Sequence, residues 1–114
     1  MWTVVEHPDF SEERKKLPPV VLEKLAEVIL TLEAVGPSLG RPLVDTLKAS
    51  RHANMKEMRF AAGGVWRVAF AFDQTRHAVV LVGGNKQSRD QKKFYQDLIR
   101  VADDRFDDWL NAGE

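Results

Sequence analysis

Cysteine is absent from the 114 residues, so neither disulfides nor thiolate catalysis is open to this chain, and a reducing cytoplasm is its expected location. Long apolar runs are missing too. No stretch approaches the roughly 20 consecutive apolar residues that span a bilayer. Met1 to Phe10 brings an acid and a proline where a secretory leader would need an apolar core, so no membrane role is expected. Net charge is also lacking, because 17 basic residues balance 17 acidic ones, which argues against a general nucleic-acid coat. His7, His52 and His77 are scattered without ligand spacing. No Cys/His/Asp cluster resembles a metal site, and neither metal nor other cofactor is expected. Repeats, linkers and low-complexity tracts are missing as well, which leaves one domain over residues 1–114.

What is present is a globular composition, 44% hydrophobic and 30% charged, too apolar for a disordered chain. The charge is unevenly spread. From Lys48 to Arg67 five basic residues (Lys48, Arg51, Lys56, Arg59, Arg67) face one acid, Glu57, whereas Asp103 to Glu114 holds five acids and only Arg105. A neutral chain with a basic middle can bind a polyanion locally; ordinary solvated charge is the alternative.

Residue patterns predict the elements. Trp2 to Glu6, aromatic and β-branched, reads as a strand. Asp9 with Glu12 suggests a capping box for a short helix ending near Lys15 and Lys16. Pro18-Pro19 suits the first turn of a second helix, whose Val21, Leu25, Val28, Leu32 and Val35 recur at helical spacing until Gly36-Pro37 stops it. Pro37 to Arg51 is turn-rich, pinned by Leu39, Leu43, Val44 and Leu47. Strands are expected at Asn54–Phe60, Val65–Phe72 and Ala78–Val82, and a terminal helix at Arg89–Leu110 with an apolar face of Phe94, Leu98, Val101, Ala102, Phe106 and Trp109. The order β-α-α-β-β-β-α predicts an α+β domain, with helices on one face of a mostly antiparallel sheet.

Strand parity separates Met58, Phe60, Trp66, Val68 and Phe70 from Glu57, Arg59 and Arg67. With only alanines around them, the two arginines would form a shallow cationic trough able to grip a phosphate; the alternative is surface charges paired with Glu57 or the acidic tail. Arg67 should then be removable at little cost in stability, and Trp66 should not. Gly83-Gly84-Asn85-Lys86-Gln87-Ser88 reads as a turn bearing one cation, and it does not match a P-loop. Phe94 and Tyr95 point about 100° apart, so one suits the core while the other reaches the sheet edge with its hydroxyl or ring. His7 and His77 read as surface residues, and His52 lies beside the basic segment.

Gly40-Arg41-Pro42-Leu43, Met55-Lys56-Glu57-Met58-Arg59-Phe60, Val65-Trp66-Arg67-Val68-Ala69-Phe70, Leu81-Val82-Gly83-Gly84-Asn85-Lys86 and Phe94-Tyr95 together resemble the RelE/ParE toxin superfamily, especially its HigB or phage gp49-like branch. The resemblance implies a RelE-like fold and a toxin of a type II toxin–antitoxin pair. It further implies a ribosome-dependent messenger-RNA endonuclease, silenced by an antitoxin that usually carries a helix-turn-helix. By the same resemblance Arg67 holds the scissile phosphate, Lys86 falls at the basic position after the glycine turn, and Tyr95 near the C-terminal aromatic. Lys56 and Arg59 lie on the strand where RelE places catalytic lysines, but Glu57 stands where RelE is basic. Cleavage by an internal nucleophile needs a base for the 2′-hydroxyl, cations for the phosphorane and an acid for the leaving oxygen. Arg59 and Arg67 suit the second task, His52 or Glu57 the first, and Lys86 or Tyr95 the third. Such a route needs no metal and leaves a 2′,3′-cyclic phosphate or 3′-phosphate. Lys48, Arg51, Lys56, Lys92 and Lys93 are the candidate RNA contacts. The competing classes are a ParE-like, non-enzymatic gyrase inhibitor and a relative that only binds its antitoxin.

Overall fold

A computed structural model describes residues 1–112; Glu114, counted above in the acidic tail, lies outside them. The chain forms strand β1 (Thr3–Glu6), helices α1 (Pro8–Arg14) and α2 (Pro19–Val35), and a 3₁₀ turn at Gly36–Ser38. Strands β2 (Val44–Thr46), β3 (Met55–Ala61), β4 (Val65–Phe72) and β5 (His77–Asn85) follow, and helix α3 (Gln91–Ala112) ends the fold. One sheet holds all five strands in the order β1-β5-β4-β3-β2. β1 runs parallel to β5 and every other pair is antiparallel, so the class is α+β as expected.

The helices divide between the two faces of the sheet. Leu25, Val28 and Leu32 of α2 and Phe10 of α1 pack with Met58, Val68, Phe70 and Val80 on one side. On the other side Phe94, Leu98, Ala102 and Phe106 of α3 pack with Met55, Ala69, Ala71, Val79 and Leu81. Only α1 and α2 therefore share the face expected for all three helices. The reason lies in β4: Ala69 and Ala71 are both 0% exposed, and their small side chains let a helix lie close where an open trough was expected. Among the described residues no helix is long and apolar enough to cross a membrane.

Several local readings change. The cap of α1 is His7, not Asp9, because Pro8 takes the first helical position that its fixed φ favours. His7 Nδ1 accepts from the Asp9 amide at 3.1 Å, and its Nε2–H donates to Asp108 at 2.8 Å. His7 is thus 3% exposed rather than a surface residue, whereas His77 stays half exposed. β2 is a strand of three residues, too short to show an alternation in sequence, and is recruited by pairing Val44 with Met58. Gly83, Gly84 and Asn85 belong to β5, opposite Val68, Arg67 and Trp66, and are not a loop. α3 begins after Asp90, whose Oδ1 accepts from the Lys93 amide at 3.1 Å.

Candidate functional site

Sheet register places Arg59 directly opposite Arg67, and Arg67 opposite Gly84. This row lies on the α3 side of the sheet, with Glu57 two residues before Arg59 on the same side. Glu57 Oε2 accepts from Arg59 Nη1 at 2.8 Å, and its Oε1 lies 3.8 Å from Arg67 Nε. Arg67 Nε donates to the Tyr95 hydroxyl oxygen at 3.2 Å and its Nη1 donates to the Trp66 carbonyl at 2.8 Å. The Lys86 ammonium stands 5.6 Å from the centre of the Tyr95 ring, within cation–π range. Five side chains thus form a connected series, Arg59, Glu57, Arg67, Tyr95 and Lys86, with three cations against one carboxylate.

Glycine makes the series possible. A Cβ on Gly84 would come within 3.0 Å of Phe94 Cε1, so the absence of a side chain lets the Phe94 ring sit on the strand beside Arg67. Phe94 is 3% exposed, and the next residue on α3, turned by about 100°, brings the Tyr95 hydroxyl to Arg67. Sequence reasoning assigned Asn85 no role, yet it fixes Lys86. Asn85 Oδ1 accepts from the amides of Val65 and Gln87, each at 3.0 Å, tying the start of β4 to the chain on either side of Lys86.

Arg67 and Glu57 are 7% and 3% exposed. The expectation that Arg67 lies in an open trough and can be removed cheaply is therefore corrected: α3 covers it. A cavity of about 470 Å³ is instead lined by Arg59, Lys86, Glu57, Tyr95 and Lys48. Arg41 lines it too, but its charge is met by Asp45 at 2.8 Å. Burial, and then the neighbouring Arg67 and Arg59 charges, hold the Lys86 ammonium below the ordinary lysine pKa, with Glu57 opposing. Burial pushes the Tyr95 hydroxyl up, and Glu57 adds to the shift while the hydrogen bond from Arg67 works against it. The cavity therefore presents the cations of Arg59 and Lys48, a neutral hydroxyl and the Lys86 ammonium, which releases its proton more readily than a free lysine. That set suits a phosphate group and proton transfer to or from its ester oxygens.

The remaining sequence candidates are scattered. His52 Nε2 lies 2.7 Å from Asp107 Oδ1 and its ring packs edge-on against Phe106. Asp107 is twelve residues beyond Tyr95 on α3, about 18 Å along the axis, so the structure does not bring His52 to the series. Arg51 is held by Asp104 and Asp107. By parity Lys56 shares the Met58 side of the sheet, where its Nζ donates to Thr46 Oγ1 at 2.8 Å. Lys92 lines an adjoining cavity with Arg51, and Lys93 lies 3.5 Å from Asp97. Gln91 and Ile99 line the site cavity and escaped sequence reasoning, which read them only as helix positions.

Comparison with known proteins bears on the family. The family described as "Phage derived protein Gp49-like" matches residues 12–107. Two Mycobacterium tuberculosis H37Rv proteins are similar to the chain. The one named "Putative toxin HigB2" is 44% identical over 90 residues, covering 77% of this chain and 44% of its own length. The one named "Putative toxin HigB3" is 47% identical over 79 residues, covering 69% of this chain and 68% of its own. The chain thus spans less than half of the first relative and about two thirds of the second. With most of its length matched, and Arg59, Arg67, Lys86 and Tyr95 all inside the matched range, the chain belongs to the phage-derived Gp49-like family, of HigB type.

Proposed function

We propose that this chain is the toxin of a type II toxin–antitoxin pair and acts as a ribosome-dependent messenger-RNA endoribonuclease in the cytoplasm. The observation that carries the reading is the joined series around the 470 Å³ cavity, where Arg59 and Lys86 are part of the lining and Arg67 is hydrogen-bonded to Tyr95. In the proposed reaction Arg59 and Lys86 meet the charge that develops on the phosphorane. Lys86, its proton loosened by its neighbours, protonates the leaving 5′-oxygen. Arg67 acts through Tyr95, holding the hydroxyl at the cavity wall. Of the two bases considered, Glu57 is the one in the cavity lining. It would take the 2′-hydroxyl proton as that oxygen attacks the phosphorus, expelling the 5′-oxygen and leaving a 2′,3′-cyclic phosphate. Ribosome-bound message, held in a reactive geometry, would let a modest constellation suffice.

The partner in this reading is a cognate antitoxin, a helix-turn-helix protein that covers the cationic cavity with an acidic or apolar segment. Expression without the antitoxin should arrest growth, and pulse labelling should show protein synthesis stopping before DNA synthesis. A second reading, a non-enzymatic inhibitor like the ParE branch, has one observation in its favour. Glu57 is already engaged by Arg59 at 2.8 Å and His52 by Asp107 at 2.7 Å, which leaves neither base unencumbered. That reading forecasts replication failing first while messages stay intact.

A further inference from the structure

The site cavity does not end at Tyr95. A second cavity, of about 790 Å³, adjoins it, and Ala49, Gln91, Tyr95 and Ile99 line both. The two form one continuous trough between α3 and the loop that follows β2. Along α3 its wall consists of two adjacent rows at four-residue spacing, Gln91, Tyr95 and Ile99 beside Lys92, Gln96 and Arg100. Among the described residues that line the second cavity none is acidic. Arg51 is held by Asp104 and Asp107, and Arg100 lies 3.6 Å from Asp97. Lys92 makes no ion pair among the described residues, while its neighbour Lys93 lies 3.5 Å from Asp97 and lines neither cavity. Apolar surface from Ala49 and Ile99, an aromatic ring, two amides and an uncommitted ammonium offer partners for a base face, a base edge and a phosphate. An unpaired nucleotide presents all three together, whereas a duplex keeps its base faces stacked.

We propose that this second cavity is a subsite for the nucleotide flanking the scissile phosphate of single-stranded RNA, with Lys92 meeting its phosphate and Ile99, Ala49 and the Tyr95 ring meeting its base. The subsite rests on the RNA reading of the adjoining site. Fluorescence anisotropy with uncleavable 2′-O-methyl oligoribonucleotides, a dinucleotide and a hexanucleotide, at two salt concentrations tests it on the wild-type chain, Lys92→Gln and Lys93→Gln. The hexanucleotide should bind wild type about tenfold tighter than the dinucleotide. Lys92→Gln should weaken the hexanucleotide about three- to tenfold and flatten its salt dependence by about one phosphate contact, while sparing the dinucleotide. Lys93→Gln, the same charge change one residue away, should leave both unchanged. Equal losses from the two lysines, or a hexanucleotide no tighter than the dinucleotide, would overturn the subsite and leave the RNA reading standing. No binding of either oligonucleotide to wild type would likewise overturn the subsite, while the ribosome-dependent reading stands or falls by the fragments formed on programmed ribosomes.

Discussion

At the scale of single residues, the site separates groups that face the cavity from groups that hold them. Lys86 lies in the lining and Arg67 is buried behind it, so their truncations should differ. Lys86→Ala should melt within about 0.5 kcal/mol of wild type, as surface changes do, and lose toxicity. Arg67→Ala should cost about 1–3 kcal/mol, because Tyr95 and Glu57 lose a buried cationic neighbour; calorimetry beside a growth assay separates the two. Lys86 also sets a pH limit. An acid works only while protonated, and the pKa of Lys86 lies below its ordinary value. Cleavage should therefore fall as pH rises through that lowered value, earlier than a free lysine would dictate. The stronger base arginine in Lys86→Arg should move the fall to higher pH, and a limb that stays in place would assign the titration elsewhere. Arg67 as a candidate was legible in the Trp-Arg-Val strand. Its burial was not, since alanines at 69 and 71 read equally well as an open face or as the seat of a helix.

At the scale of elements, α3 decides the site, because it places Tyr95, Gln91 and Ile99 over the sheet. Its seat depends on Gly84. Gly84→Ala would put a Cβ 3.0 Å from the Phe94 ring, and overpacking of this kind costs about 1–3 kcal/mol. Toxicity should fall with it as Tyr95 shifts. Gly40→Ala, with nothing within 4 Å of the added Cβ, should leave both unchanged in the same assays. Farther along α3, Arg105 donates to the Leu81 carbonyl at 2.8 Å and to Glu13 at 2.7 Å, tying α1 and β5 to the helix. The hydrogen bond from Arg105 holds the Glu13 carboxyl below its usual pKa. This contribution is complete above the unfolded glutamate pKa and is lost as pH falls through the lowered folded value. Arg105→Ala should thus lower the melting temperature at neutral pH and narrow its gap to wild type in acid. The 3.6-residue periodicity of α2 and α3 and the alternation of β4 were plain in the sequence. β2 was not, because three residues carry no period, and Gly83-Gly84 read as a turn because glycine is commoner there than under an aromatic ring.

At the scale of the whole molecule, a chain of zero formal charge concentrates cations at one cavity and spends much of its acid on holding the fold. Arg51, a candidate RNA contact in sequence, is held by Asp104 and Asp107, a pairing across more than fifty residues that local reading cannot reveal. The family was legible because short motifs on several elements keep their order and spacing, while the division of helices between two faces needed the packing itself. The most direct test of the account is the chemistry of the RNA ends left when purified protein acts on programmed ribosomes. The account predicts a free 5′-hydroxyl on the downstream fragment with wild type, and no fragment with Lys86→Ala. Messages that stay intact under wild-type protein, or fragments bearing a 5′-phosphate, would contradict it.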